Sequence, residues 1–208
     1  MNGKRQPMQL QRTFFQSDPV TCAEGLIGCE LVWGETAGRI VETEAYAEHG
    51  DEASHTFMRR GAREFIEQHL PGTLYVYLNY GVHWLLNFLC KGGSSNGFVL
   101  VRALEPTAGI ELMAERRQTS VRGNFCSGPG KLTQALSIRL EAHGKDFFQI
   151  KGASLRPREK VIQVEIDRRV GITKSVHLDW RFLASGSSYV SVPKAVKPQK
   201  GKTRLRAD

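Results

Sequence analysis

The chain has 208 residues, enough for one domain with a sizeable core or at most two small ones, and its 40% hydrophobic and 24% charged residues are ordinary for a globular protein. Twenty-nine Lys and Arg against 21 Asp and Glu give a formal charge of +8, which favours polyanions such as nucleic acid or an anionic membrane face. That excess sits in the flanks. Lys4, Arg5 and Arg12 give +3 within residues 1–12, and Lys194, Lys197, Lys200, Lys202, Arg204 and Arg206 against Asp208 give +5 within 193–208, so residues 13–192 are formally neutral.

Cys22, Cys29, Cys90 and Cys126 show neither CxxC nor paired-His spacing. This argues against a zinc site or disulfide framework and for reduced thiols in a cytosolic or nuclear protein. The polar N-terminus lacks the apolar run of a signal peptide, and no stretch approaches a membrane span.

From Phe14 to Val192, short apolar segments alternate with Gly and polar turns, which predicts one α+β domain. A short helix is expected over Cys22–Leu31, ending near Gly28, and a strand over Arg39–Tyr46. Glu48–Leu70 is polar and poorly periodic, so a long loop with a helical turn is expected there. Thr73–Leu89 carries two apolar runs around Asn79-Tyr80-Gly81, the pattern of a β-hairpin. A three-residue loop Asn79–Gly81, setting Leu78 opposite Val82, sorts the side chains by character. Leu74, Val76, Leu78, Val82, Trp84, Leu86 and Phe88 then share an apolar face. Thr73, Tyr75, Tyr77, His83, Leu85 and Asn87 share the other, with Tyr80 at the tip. Helices are expected over Gly109–Arg117 and Gly130–Ser137, strands over Val161–Val164, Arg181–Ala184 and Tyr189–Val192, and a disordered basic tail from Lys194.

Residues 41–55 read VETEAYAEHGDEASH. Strand alternation places Glu42, Glu44 and Tyr46 on one face, opposite Val41, Thr43 and Ala45. On a solvated edge this is a polar face. Beside aromatic surface, a carboxylate acquires a raised pKa and becomes a general base for water. Glu48, His49, Asp51 and His55 match no common ligand spacing, so no metal is expected. An exposed tip tyrosine is either an ordinary turn residue or a wedge that enters a base stack.

Six collinear segments carry a resemblance: VETEAY (41–46), His55 nine residues after Tyr46, PGTLYVYLNYG (71–81), Asn87, VLVRALEP (99–106) and CSGPGKL (126–132). Together they resemble the alkyladenine DNA glycosylase family, the 3-methyladenine DNA glycosylase of the mammalian and Bacillus type, over residues 13 to 192. The resemblance implies a mostly antiparallel curved sheet with surrounding helices and a protruding hairpin. It also implies a monofunctional, cofactor-free enzyme acting as a monomer on duplex DNA containing damaged purines. Such an enzyme flips an alkylated or deaminated purine (3-methyladenine, 7-methylguanine, hypoxanthine, ethenoadenine) from the duplex and hydrolyses its N-glycosidic bond. Its location would be cytoplasmic and nucleoid-associated in a bacterium, nuclear in a eukaryote.

By the same resemblance, Glu44 deprotonates the attacking water, Arg102 helps hold it, and Val170 in RVG (169–171) contributes a backbone carbonyl. Tyr46, His55 and Tyr77 would line the base pocket, and Asn87 would exclude guanine by crowding its amino group. Tyr80 would be the wedge, and Arg117 and Lys131 would contact phosphates. The segment between His55 and Pro71 departs from the family's TPRN-like run and Met-Phe pair: it has Gly61-Ala62-Arg63-Glu64, with Gln68 and His69 near the expected Met-Phe place. Lesion preference is therefore not carried over. A hydrolase of free nucleosides or glycosides would use the same Glu44 and Arg102 without Tyr80, and a non-catalytic duplex-binding module would keep Tyr80 alone.

Overall fold

The computed structural model describes residues 8–194. Its chain order is α1 (Pro19–Leu26), β1 (Glu30–Trp33), β2 (Thr36–Ala47), α2 (His55–Met58), α3 (Arg60–Gln68), β3 (Leu74–Asn79), β4 (His83–Cys90) and β5 (Gly97–Ala108). There follow α4 (Ile110–Arg117), α5 (Pro129–Leu136), β6 (Ala153–Arg156), β7 (Val164–Asp167) and β8 (Arg181–Ala184). All eight strands join one antiparallel sheet in the order β3-β4-β5-β2-β1-β6, with β8 paired to β2 and β7 to β8. The expected single α+β domain is what the chain forms.

Strand alternation divides this sheet into two buried faces. Leu74, Val76, Leu86, Phe88, Val99, Val101 and Ala45 enter the main core, where Phe15 stacks on Phe88 at 5.0 Å and Phe147 meets Phe88 edge-on. Helix α1 closes this side against β2, and the Thr43 hydroxyl donates to the Ala23 carbonyl. On the opposite face Tyr75, Leu89 and Phe98 pack beneath Ala62, Phe65 and Ile66 of α3.

Helix α3 corrects the expectation of a loop over Glu48–Leu70. Ala62, Phe65 and Ile66 lie at i, i+3 and i+4, an apolar stripe of a single turn that finds its partner only in the sheet. Arg60 adds an i,i+4 pair with Glu64. The first helix also differs: it starts at Pro19, capped by Asp18, and ends at Leu26, while Glu30 and Leu31 belong to β1. The strand expected over Val161–Val164 begins only at Val164. Tyr189–Val192 is not a strand; Tyr189 and Val190 pack against the core, and Ser191 is held by Glu42 instead of by a ladder.

The hairpin keeps its sorted faces but slides by two residues. Asn79 pairs with His83 and Leu74 with Phe88, so the loop is Tyr80-Gly81-Val82. Tyr80 at φ 51° and Gly81 at φ 69° both take left-handed backbone, and the Val82 amide donates to the Asn79 carbonyl. Two successive positive φ values suit a tight hairpin turn, which draws Asn79 into the strand and leaves Val82 outside it. An even slip leaves the side chains that stay paired on their expected faces.

Arg12, counted with the basic flank, belongs to the folded body, where it bonds Asp146 and the Pro71 carbonyl. Lys194 pairs with Glu165. The other basic residues of both flanks lie outside the described residues.

The Asp18 side chain accepts from the Val20 and Thr21 amides. Burial raises its carboxyl, but the Thr21 and Val20 hydrogen bonds outweigh that and hold it below its ordinary value of 3.8. Asp18→Ala is expected to lose about 1 kcal/mol at neutral pH. A depressed carboxylate stabilises above its unfolded pKa and loses that contribution as pH falls through the folded one. Urea unfolding should therefore show the gap between variant and parent closing below pH 3.8.

Candidate active site

The site is built where β2 and β5 fall out of step. Ile40 pairs with Leu104, Glu42 with Ala103 and Thr43 with Val101, so Val41 on one strand and Arg102 on the other have no opposite residue. Such bulges re-aim side chains. Here the Arg102 guanidinium reaches both carboxylates of the facing strand: Nε donates to Glu42 Oε1 at 2.8 Å and Nη1 to Glu44 Oε2 at 3.2 Å. Gly97 starts β5 at φ 153° with no room for a side chain, since a Cβ would lie 2.1 Å from the Tyr46 carbonyl oxygen.

Glu42 and Glu44 are both 0% exposed. Glu42 accepts from Arg102, from Arg181 Nε at 2.8 Å, and from the Ser191 amide and hydroxyl. It is a fully satisfied anchor. Glu44 accepts from the Val170 amide on Oε1 at 2.6 Å and from the Tyr46 hydroxyl on Oε2 at 2.8 Å. Burial pushes the Glu44 carboxyl up, while Arg102, the Val170 amide and the Tyr46 hydroxyl draw it back. The repulsion of Glu42 adds to burial, and the balance leaves Glu44 above the ordinary carboxylate range.

Beside Glu44 opens a cavity of about 340 Å³ on the second face of the sheet, within the range of small-molecule sites. Three of its walls are Tyr46, Arg102 and Val170, the hydrogen-bond partners of Glu44. Tyr75, Tyr77 and Asn87 come from the hairpin strands, Phe98 and Leu100 from β5, and His55 from the first turn of α2. Tyr80, 88% exposed, borders it from the hairpin tip. Burial pushes the Tyr77 hydroxyl up to about 12, so this wall carries no charge at neutral pH.

The pocket residues expected from the sequence therefore converge: Arg102, Val170, Tyr46, His55, Tyr77 and Asn87 line one space, and the buried Glu44 lies behind it, bonded to three of its walls. The Val170 contact seen here is made by its amide. Asn87 is held in place by its Nδ2, which donates to the Tyr75 carbonyl at 3.1 Å. Arg117 and Lys131 stand outside the cavity: Arg117 bonds Gln134 across the α4–α5 contact, and Lys131, on the first turn of α5, reaches the Ser127 hydroxyl just before the helix. Among the described residues no group of three or more His, Cys, Asp and Glu side chains gathers to hold a metal.

Sequence reasoning missed Asp51 and Arg169. They form a buried fork, Nη1 to Oδ2 at 2.6 Å and Nη2 to Oδ1 at 2.8 Å, directly behind Tyr46. Their separation of 118 residues leaves no local signal. Arg181 and Ser191, which complete the shell around Glu42, went unrecognised for the same reason.

The sequence profile of the Methylpurine-DNA glycosylase (MPG) family matches residues 13–188. The chain belongs to that family. It is thus a DNA glycosylase, a hydrolase of base excision repair that acts on damaged DNA. Similar curated proteins bear the name "Putative 3-methyladenine DNA glycosylase". That of Rhizobium etli is 43% identical over 182 residues, covering 88% of each chain. That of Agrobacterium fabrum is 42% identical over 192 residues, covering 92% of this chain and 96% of the relative. That of Chlorobium luteolum is 40% identical over 189 residues, covering 88% and 96%. Among the described residues no helix is long and apolar enough to cross a membrane.

His55 sits with Nδ1 3.1 Å from the Tyr75 hydroxyl and its ring 4.4 Å from that of Tyr77. Burial, aided by the nearby Arg59 charge, lowers its pKa from 6.5 to about 4. The unfolded imidazole takes its proton near 6.5, so acidification from there towards 4 weakens the fold. In an NMR titration the His55 signals should hold still between about pH 8 and pH 5. Their midpoint should come near 4, and one near 6.5 would contradict this reading.

Proposed function

We propose that the glycosylase receives a damaged purine, flipped from duplex DNA, in the cavity between Tyr46 and Tyr77, and hydrolyses its N-glycosidic bond with water activated by Glu44. The observation that carries this reading is the buried Glu44 carboxylate, held by three donors at the edge of an aromatic cavity. A raised pKa suits a general base, and low dielectric strengthens its attraction to a developing sugar cation.

The reaction balances simply. Glu44 takes a proton from water, the water oxygen bonds the sugar C1′, and the C1′–N bond breaks with its electron pair leaving on the base. The products are an abasic site and a free base. A purine alkylated at N3 or N7 is already cationic and departs neutral, so one carboxylate suffices. Neutral lesions such as hypoxanthine or ethenoadenine require a proton on the leaving base. No lysine is among the residues lining the cavity, which favours hydrolysis without strand cleavage.

In this reading Arg102 and the Val170 backbone hold the water, Tyr46 and Tyr77 stack on the base, and His55 offers it a hydrogen bond. The buried Asn87 amide crowds the 2-amino group of guanine. Tyr80 fills the gap in the duplex while Arg117 and Lys131 grip phosphates. The basic flanks, 1–12 and 193–208 apart from Arg12 and Lys194, which are paired within the folded body, serve as a salt-sensitive grip around a catalytic domain of residues 13–192. The protein acts as a monomer in the cytoplasm, on nucleoid DNA.

The direct test incubates the protein with duplexes containing 7-methylguanine or hypoxanthine and with the free nucleosides. Base released from duplex alone supports the reading. Release from nucleosides points to a small-substrate hydrolase, and binding without release to a duplex-binding module. Glu44→Gln should lower single-turnover excision by about 100-fold or more while lesion binding persists; full activity would remove Glu44 from the role of base. Tyr80→Ala should weaken capture of the lesion in duplex by about tenfold, the scale of one lost base–aromatic stack. Unchanged binding and excision would contradict the wedge.

A further inference from the structure

Behind the cavity, outside its lining, lies an ion pair that touches three of its walls. The side chains of Arg169 and Asp51 are both 0% exposed and joined by two hydrogen bonds. The Arg169 guanidinium also donates to the Ala45 carbonyl at 2.9 Å and lies 4.7 Å over the Tyr46 ring, fixing both residues that follow Glu44 on β2. Its chain neighbour is Val170, whose amide meets Glu44 at 2.6 Å. Asp51 in turn accepts from the amides of Ala47, at the end of β2, and Ala53, at the entry to the helix that presents His55.

A fork between two buried ions is rigid, because both partners lose water and only this geometry compensates them. Neither residue meets the cavity, yet each displacement of the pair moves a group that does.

We propose that the Asp51–Arg169 pair is the positioning device of this site, setting the Val170 amide and the Tyr46 ring against Glu44. It rests on the excision reading above. The pair carries no net charge, and the groups that face Glu44 directly are Arg102, Tyr46, Glu42 and the Val170 amide. What the pair supplies is geometry. With the fork loosened, the Val170 amide withdraws from Glu44, the carboxylate loses a donor that lowers its pKa, and the stacking wall tilts.

Two variants keep the summed charge of the pair constant: R169K, which retains the cation without the fork, and the doubly neutral D51N/R169Q. Each is assayed for single-turnover release of 7-methylguanine from duplex at saturating protein across pH, alongside thermal unfolding. Because that base is already cationic, the acidic limb reports the carboxylate. The expected result is a loss of about 10- to 100-fold in rate, the scale seen when supporting shells are removed, with the acidic limb moved to higher pH in protein that is still folded. A parental rate and limb in either folded variant, with only the melting temperature lowered, overturns the proposal. So does failure of both variants to fold, which would make the pair a support of the fold itself. Absence of release by the unaltered protein would overturn the excision reading and this inference together, whereas release unchanged by both variants overturns the inference alone.

Discussion

Two carboxylates buried side by side are the constraint around which this molecule is arranged. Taking each ion from water costs several kcal/mol even after relaxation, and their mutual repulsion adds to it. Arg102 sits on the strand facing Glu42 and Glu44 and answers both. Arg181 from β8, the Ser191 amide and hydroxyl, and the Val170 amide all come from the last quarter of the chain to complete the shell. These polar contacts act with the β8 ladder and the packing of Phe182, Ala184, Tyr189 and Val190 to hold the C-terminal segment on the sheet. The site and the closure of the fold are one network.

Asymmetry between the two carboxylates gives that network a direction. Glu42 has four donors and no outlet, and acts as a structural counter-charge. Glu44 has three donors, and the residues that supply them, Tyr46, Arg102 and Val170, all line the aromatic cavity. The sheet repeats this division. One face is a conventional apolar core, and the other is tiled by Tyr46, Tyr75, Tyr77 and Phe98 and roofed by α3. Strand alternation separates the apolar core from the cavity face.

Period-2 order is also what made the site legible in the sequence. The faces of β2 and of the hairpin follow from side-chain character, and they placed Glu44 with Tyr46 and Tyr77 with Asn87 correctly. The hairpin register escaped by two residues because it depends on a tyrosine adopting left-handed backbone, which no propensity favours. Helix α3 escaped because its apolar stripe is one turn long and meaningful only against Tyr75 and Phe98. The bulge and the Asp51–Arg169 fork escaped because each joins residues far apart in the chain, where local pattern carries no information. Asp51 in particular reads, from its neighbours alone, as part of an acidic loop with two histidines.

The turn at the hairpin tip has a consequence of its own. Left-handed backbone at a residue with a Cβ stores about 1 kcal/mol or more, which a glycine at position 80 would release. Two adjacent glycines would make the most relaxed turn for this register, and an aromatic ring stands in place of one of them. Folding stability and the projection of that ring are thus opposed at a single residue. The hairpin is a place where the fold is held below its own optimum so that a side chain can stand clear of the surface.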